Sequence, residues 1–335
     1  MGFSPSIDEL RRAVDDAIAA HLRRRAAALP EAQVLIDEMW RLTAAGGKRL
    51  RPAFCYWGYR VAGGAHGDAI LHAAASLELL HTFAIVHDDI MDAADERRGE
   101  ETVHARHGVG VGILVGDLAL VLADDAFMGA GFPPDATARA FAAYSRMRQE
   151  VIAGQYLDLS YAERRDISVE EARRVAVLKS GRYSIDEPLA IGAALAGASG
   201  EFLARLAAFG SPLGEAFQLR DDLLGTFGDR SQVGKPVDSD IVEGKRNVLY
   251  AFAAASASGD DASFLASRWG GESLTDDEIA RLRGVVESSG ARAATEALLD
   301  EQVAVARERL DALGAGSEEG AALEELVYLA TARRR

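Results

Sequence analysis

The segment from Asp68 to Asp92 constrains this chain more than any other. Asp68 suits a helix N-cap, and the apolar residues that follow recur at helical spacing. At 1.5 Å per residue such a helix is roughly 36 Å long, enough to cross a protein as a central element that other helices must cover. Its second half, Leu77 to Asp92, is an apolar run that ends in aspartates. At about 100° per residue Asp88 and Asp92 lie one turn apart on one face, with Leu77, His81 and Ala84 on the stripe beneath them. Like charges at that spacing repel by about 0.2 to 0.5 kcal/mol. With Asp89 and Asp95 added nearby, the cluster either binds a cation or forms a solvated acidic helix end.

The rest of the chain reads as further helices. Residues 6–28 and 31–45 are amphipathic, the second closing at Gly46-Gly47, and Pro52 opens another through Val61. The glycine-alternating piece Gly108 to Gly112 imitates a nucleotide loop but fails both phosphate-loop patterns. Helices are expected over 117–128, 133–161, 168–180, 183–198, 200–210 and 212–227. After a Gly/Asp/Lys-rich loop, 228–245, they resume near Val248, pass a connection at 256–276, and continue at 277–288, 291–312 and 318–332. No segment shows convincing strand periodicity. The expectation is an all-α protein, one domain over 1–335, built as a helical bundle around a central cavity.

Composition excludes several functions. A formal charge of -15 opposes nonspecific binding to nucleic acid. The N-terminus lacks a basic segment followed by an apolar one, and the apolar stretch 109–123 is broken by Asp117, so no secretory signal or integral membrane segment is expected. A lone cysteine, Cys55, rules out an internal disulfide framework and suits a cytoplasmic protein.

A second aspartate pair, Asp221-Asp222, closes the run Phe217 to Asp222 late in a helix, with Gln218 on an adjoining face. Were the two acidic helix ends to face each other, four or more carboxylates would surround one space. Oxygen ligands of that kind suit magnesium better than zinc, for which His and Cys are too sparse. Basic groups complement them: Lys48 with Arg51, Arg97 with Arg98, and Lys179, Lys235 and Lys245. Each has an ordinary explanation, such as a cation following a helix C-terminus or balancing Asp95-Glu96. Together, acids for metal and cations for anions describe a site for two diphosphates bridged by magnesium.

These residues carry a resemblance. The chain resembles the trans-isoprenyl diphosphate synthases, the polyprenyl synthetase family, over nearly its whole length. The matching pieces are Gly47-Lys48-Arg49-Leu50-Arg51-Pro52, His87 to Asp92 with Arg97-Arg98-Gly99, Gly154-Gln155-Tyr156-Leu157-Asp158, Lys179-Ser180, Phe217-Gln218 with Asp221-Asp222, and Gly234-Lys235-Pro236 through Glu243-Gly244-Lys245. The resemblance implies that Asp88, Asp92 and Asp221 ligate magnesium, three ions with substrate bound, supported by Asp89 and Asp222. It implies that Arg97, Lys179 and Lys235 hold the allylic diphosphate, and that Lys48, Arg51, His81 and Arg98 hold isopentenyl diphosphate. Lys179 and Ser180 backbone oxygens with Gln218 would face a carbocation, Lys245 joins the substrate-binding set, and a homodimer is implied. One departure stands out: the second motif usually reads Asp-Asp-x-x-Asp, and Gly225 occupies its last position, with Asp229 four residues on.

The activity this implies is head-to-tail prenyl transfer. Phe83, five residues before Asp88, with Ala84 and Leu80, would set product length. In the resembling family an aromatic there accompanies products near twenty carbons, geranylgeranyl diphosphate, with farnesyl or longer diphosphates as rivals. A terpene cyclase would not need the second diphosphate site of Lys48, Arg51 and Arg98. A noncatalytic regulatory subunit would lack acids or cations that are present here.

Overall fold

The computed structural model describes residues 5–162, 164–228, 238–271 and 273–331. In chain order the helices are α1 (Ile7–Ala28), α2 (Gln33–Ala44), α3 (Leu50–Val61), α4 (Asp68–Met91), α5 (Val103–His107), α6 (Val109–Met128), α7 (Pro134–Tyr161) and α8 (Val169–Ala176). A wide π-helical stretch, Val177–Asp186, leads into α9 (Glu187–Leu195) and α10 (Gly200–Phe227). Then come α11 (Ser239–Val242), α12 (Val248–Ser256), α13 (Gly259–Arg268), α14 (Asp276–Ser288), α15 (Ala291–Leu313) and α16 (Ser317–Thr331). The all-α expectation holds apart from one hairpin, β1 (Glu96–Arg97) with β2 (Glu100–Glu101), whose strands are too short to show a period. The described parts fall into two compact units, one from Met1–Tyr144, Pro188–Ala204 and Ala315–Leu326, the other from Ser145–Glu187, Arg205–Gly314 and Val327–Arg335.

In the first unit, α4 packs against α6, α3 and α1. It is long and apolar enough to cross a membrane, but 61% of its apolar window is buried by the protein itself. Asp68 proves to be its first residue, after the N-cap Gly67. The glycine-alternating piece belongs to α6 rather than to a loop. A Cβ at Gly112 would come within 2.8 Å of Ile90, and one at Gly116 would strike the His87 ring. Close packing on α4 therefore outweighs the helix penalty of glycine, about 1 kcal/mol per residue. Gly58 of α3 and Gly192 of α9 likewise allow backbone contact, with Leu189 and Cys55 respectively. Cys55 is fully buried, and burial pushes its thiol up to about 12.

The second unit has its own core, in which Leu219, Leu223, Ile241, Leu249, Trp269 and Val286 are buried together. Two expected helix breaks are absent. Pro212 lies inside α10, where its roughly 3 kcal/mol penalty is opposed by burial of Phe209, Leu213 and Ala216. The break expected near Gly181 is bridged by the π-helical stretch, where a Cβ at Gly181 would come within 2.8 Å of the Gly214 carbonyl carbon. The connection 256–276, read as a loop, contains α13.

The π-helical stretch ends at a buried carboxylate. Asp186 accepts a hydrogen bond from Ser211 Oγ at 3.0 Å, and burial, reinforced by Glu187, pushes it up to about 6. An aspartate that holds its proton more tightly folded than unfolded loses stability for the protein as pH rises from its unfolded value, about 3.9, through 6. Asp186→Asn removes that loss while keeping a polar partner for Ser211. Thermal unfolding is expected to show the variant gaining on wild type between pH 4.5 and 7.5, by on the order of 1 to 3 kcal/mol. A constant difference across that range would clear Asp186 of the effect.

Candidate active site

The first acidic motif sits where α4 ends. Asp92 is the C-cap, and its N–H donates to the Asp88 carbonyl at 2.8 Å, so the two carboxylates follow each other by one turn. Asp89 differs from both, being only 2% exposed. Its carboxylate accepts from Arg97 Nε at 2.7 Å, and Arg97 Nη2 also donates to Asp88 Oδ2 at 3.2 Å. Burial works against the charge of Arg97, but Asp89 and Asp88 more than offset it and raise its pKa. The arginine expected to meet a diphosphate is thus anchored on the acids beside it.

Arg97 and Arg98 are delivered by the β1–β2 hairpin. Its two-residue turn is Arg98-Gly99, both with positive φ (56° and 80°), the pairing that matches hairpin twist. A left-handed arginine costs about 1 to 2 kcal/mol relative to its ordinary conformation. Arg98 Nη1 donates to the Gly46 carbonyl at 2.6 Å, so the hairpin reaches the turn carrying Lys48 and Arg51.

That turn is built on Arg49, which sequence reasoning left without a role. Arg49 is 5% exposed and has φ 51°. It donates to Asp15 Oδ1 at 2.6 Å, the Thr43 carbonyl at 2.5 Å, the Gly46 carbonyl at 3.2 Å and Glu78 Oε2 at 3.4 Å. A side chain at Gly47 (φ 139°) would crowd Arg49 Nη1 at 2.8 Å. Lys48 and Arg51, both half-buried, flank this buried hub. Removal of His81 from water, followed by Arg51, Arg98, Arg97 and Arg49, holds its imidazole well below the usual range and keeps it neutral. Four guanidinium groups thus act on one neutral imidazole, two of them, Arg49 and Arg97, also bonded to carboxylates.

Of the length-setting candidates, Leu80 is fully buried, whereas Phe83 and Ala84 are half-buried. Phe83 lies edge-on to His87, ring centroids 5.0 Å apart, and His87 Nε2 lies 3.2 Å from the Ile113 carbonyl of α6.

The second unit gathers the other candidates. Lys179 and Ser180 lie in the π-helical stretch, and Lys179 Nζ donates to Asp158 Oδ2 at 2.5 Å. A Cβ at Gly154 would strike the Lys179 backbone nitrogen, so Gly154 and Asp158 together seat the lysine. Their spacing of four on α7 was the available signal, since it puts both on one helix face. Gln218 Nε2 donates to Asp222 Oδ1 at 2.7 Å. Asp222 is 3% exposed, and its Oδ2 is buried without a hydrogen-bond partner. Burial first, then the Asp240 carboxylate, pushes Asp222 up to about 8.

Asp240 also explains Gly225. A Cβ there would come within 2.5 Å of Asp240 Oδ2, so the space of the motif's missing aspartate side chain already contains a carboxylate. Asn247 Nδ2 donates to Asp240 Oδ2 at 3.2 Å, and Lys245 Nζ lies 3.6 Å from Oδ1 and 2.7 Å from Glu243 Oε2. Lys235 and Asp229 lie outside the described residues. Among the described residues no three Asp, Glu, His or Cys side chains are close enough to enclose an ion alone. The donors nevertheless suit a hard cation: all are carboxylate oxygens, and Asp222 Oδ2 is a buried acceptor without a hydrogen-bond partner, beside the Asp240 carboxylate.

The sequence model of the family "Polyprenyl synthetase" matches residues 32–285, a span that runs through segments of both units. The chain is 34% identical to a geranylgeranyl diphosphate synthase of Sulfolobus acidocaldarius, covering 83% of this chain and 82% of that one. It is 35% identical to a geranylfarnesyl diphosphate synthase of Aeropyrum pernix, over 75% and 78%. Its structure matches that of a geranylgeranyl pyrophosphate synthase from Corynebacterium glutamicum complexed with isoprenyl diphosphate and magnesium, with a TM-score of 0.94, 34% identity and coverage of 98% and 100%. The chain belongs to the polyprenyl synthetase family. It is an isoprenyl diphosphate synthase by fold and sequence.

Proposed function

We propose that this enzyme condenses isopentenyl diphosphate with an allylic diphosphate, dimethylallyl, geranyl or farnesyl, and stops at geranylgeranyl diphosphate. The observation that carries this reading is the grouping of Arg49, Arg51, Arg97 and Arg98 around neutral His81, beside the carboxylates of Asp88, Asp89 and Asp92. A cyclase handling one diphosphate has no use for so large an anion site.

Asp88, Asp92 and Asp221 would hold magnesium, three ions with substrate bound, while Asp89 and Asp222 keep Arg97 and Gln218 in place. Bound magnesium would supply charge neutralisation for the departing diphosphate. Arg97, Lys179 and Lys235 would bind the allylic diphosphate and stabilise the negative charge that grows on it as the C–O bond ionises. Lys48, Arg51, Arg98 and His81 would bind isopentenyl diphosphate, with Lys245 adding to the cationic set. A neutral imidazole can donate a hydrogen bond to a diphosphate oxygen without a net charge change. The isopentenyl double bond attacks the allylic cation, which the Lys179 and Ser180 backbone oxygens and the Gln218 side chain would face. Proton loss to the released diphosphate completes a five-carbon extension. Apolar residues must exclude water from the cation, and Phe83, with Ala84 and Leu80, would close the space for the growing chain.

The protein would work as one domain in the cytoplasm, as a homodimer. Leu114, Val121 and Met128 expose an apolar stripe on α6 at seven-residue spacing, which supports the dimer. Incubation with magnesium, isopentenyl diphosphate and each allylic primer, followed by product sizing, tests the whole reading: a twenty-carbon diphosphate is expected, and no consumption of isopentenyl diphosphate would refute it. Phe83→Ala is expected to shift products beyond twenty carbons. An unchanged length distribution would move the floor to another residue.

A further inference from the structure

The hairpin carrying Arg97 and Arg98 is held from two sides. Arg97 is fixed to α4 through Asp88 and Asp89. The other side is α2, and it holds the hairpin through two residues one turn apart. Arg41 Nη2 donates to the Glu101 carbonyl at 3.0 Å, and Nη1 lies 3.8 Å from Glu100 Oε2. Arg41 is in turn oriented by Glu38, whose Oε2 accepts from Arg41 Nε at 2.8 Å. Glu38 Oε1 lies 3.2 Å from His107 Nε2 and 3.5 Å from Arg106 Nη1, so it also grips α5, the helix following the hairpin. Glu38 is 6% exposed, and although burial opposes its charge, Arg41 and His107 hold its carboxyl below the usual range. None of these four residues belongs to the anion site itself.

We propose that Glu38 and Arg41 are positioning residues that set the hairpin turn, and through it Arg98, for isopentenyl diphosphate. This rests on the assignment of Arg98 to that substrate and of Arg97 to the allylic one. Because Arg97 has its own anchors, the bracket acts on one substrate only. Among the described residues no carboxylate bonds Arg98, which feels Glu78 only at longer range: its hydrogen bond to Gly46 ties it to another turn, and its left-handed backbone conformation depends on the hairpin register that Arg41 fastens at Glu101. A fork donor misplaced by an ångström loses its paired contacts with a phosphate group.

The test compares wild type with Arg41→Gln and with the double variant Glu38→Gln/Arg41→Gln, which removes both charges of the pair together and guards against misfolding from a buried Glu38 that has lost its nearest cation. KM for isopentenyl diphosphate is expected to rise about five- to twentyfold, with kcat and the allylic KM within twofold of wild type, the pattern of lost ground-state binding. Isothermal titration with isopentenyl diphosphate should weaken by the same factor. In an Arg98→Ala background, adding Arg41→Gln should change that KM by less than twofold, because the two residues act through one contact. Equal increases in both KM values, a fall in kcat that follows the melting temperature, or an Arg41 effect that persists without Arg98 would each overturn the proposal while leaving the condensation reading intact. Wild-type protein that neither binds nor consumes isopentenyl diphosphate would overturn the reading itself, and the bracket's role with it.

Discussion

Arg97→Ala is expected to lower turnover about a hundred- to a thousandfold at saturating magnesium and substrates, equivalent to about 2.7 to 4 kcal/mol of lost transition-state stabilisation. The size follows from two losses. The first is a guanidinium that would meet the negative charge growing on the allylic diphosphate. The second is its grip on Asp89 at 2.7 Å and Asp88 at 3.2 Å. With arginine gone, Asp89, 2% exposed in the wild type, loses the guanidinium that offsets its charge, and the orientation of Asp88 relaxes. Arg97→Lys separates these contributions. Lysine keeps a positive charge near both acids but cannot span them with a planar fork, so an intermediate loss of about tenfold is expected. Single-turnover rates at saturating substrate measure the chemical step directly. Rates within a fewfold of wild type for Arg97→Ala would remove this residue from charge stabilisation.

What the sequence made legible was set by range. The helices of α1, α4, α7 and α15 follow from local periodicity and caps, such as the Ser6–Glu9 capping box that opens α1. The misses are cases where a partner distant in sequence decides. Gly112 and Gly116 weaken a helix locally, yet α6 forms because those glycines let it lie against Ile90 and His87. Pro212 and Gly181 read as stops, and packing overrides both. At the site, charged residue types announced themselves, because paired acids and paired cations have few ordinary uses together. Their supports did not. Arg49 looks like one more cation in Gly47 to Pro52, but its buried bonds to Asp15 and Glu78 span 34 and 29 residues. Glu38 and Arg41 look like a surface helix pair, and only the fold brings Glu101 and His107 to them.

The Gly225 substitution in the second motif is where sequence and structure disagree most usefully. Read alone, the motif invites repair by Gly225→Asp, which would restore the usual Asp-Asp-x-x-Asp pattern. The structure predicts the opposite outcome. The new Cβ would lie 2.5 Å from Asp240 Oδ2 and 2.6 Å from its Cγ, atoms of a short side chain that Asn247 holds at 3.2 Å and Lys245 at 3.6 Å. Overpacking of this kind costs about 1 to 3 kcal/mol. The added carboxylate would also join Asp222, already pushed up to about 8 by burial and by Asp240. Gly225→Asp is therefore expected to lower the melting temperature by several degrees and activity by at least tenfold. Gly225→Ala carries the steric part without the charge and should fall between it and wild type. Moving the carboxylate instead of adding one should relieve both faults: Gly225→Asp with Asp240→Gly is expected to recover most of the lost stability. Thermal unfolding and magnesium-dependent turnover of the four proteins measure this directly. A Gly225→Asp enzyme as stable and active as wild type would mean that Asp240 is not held against Gly225, and a double variant no better than the single one would mean that Asp240 is needed where it stands for a second reason.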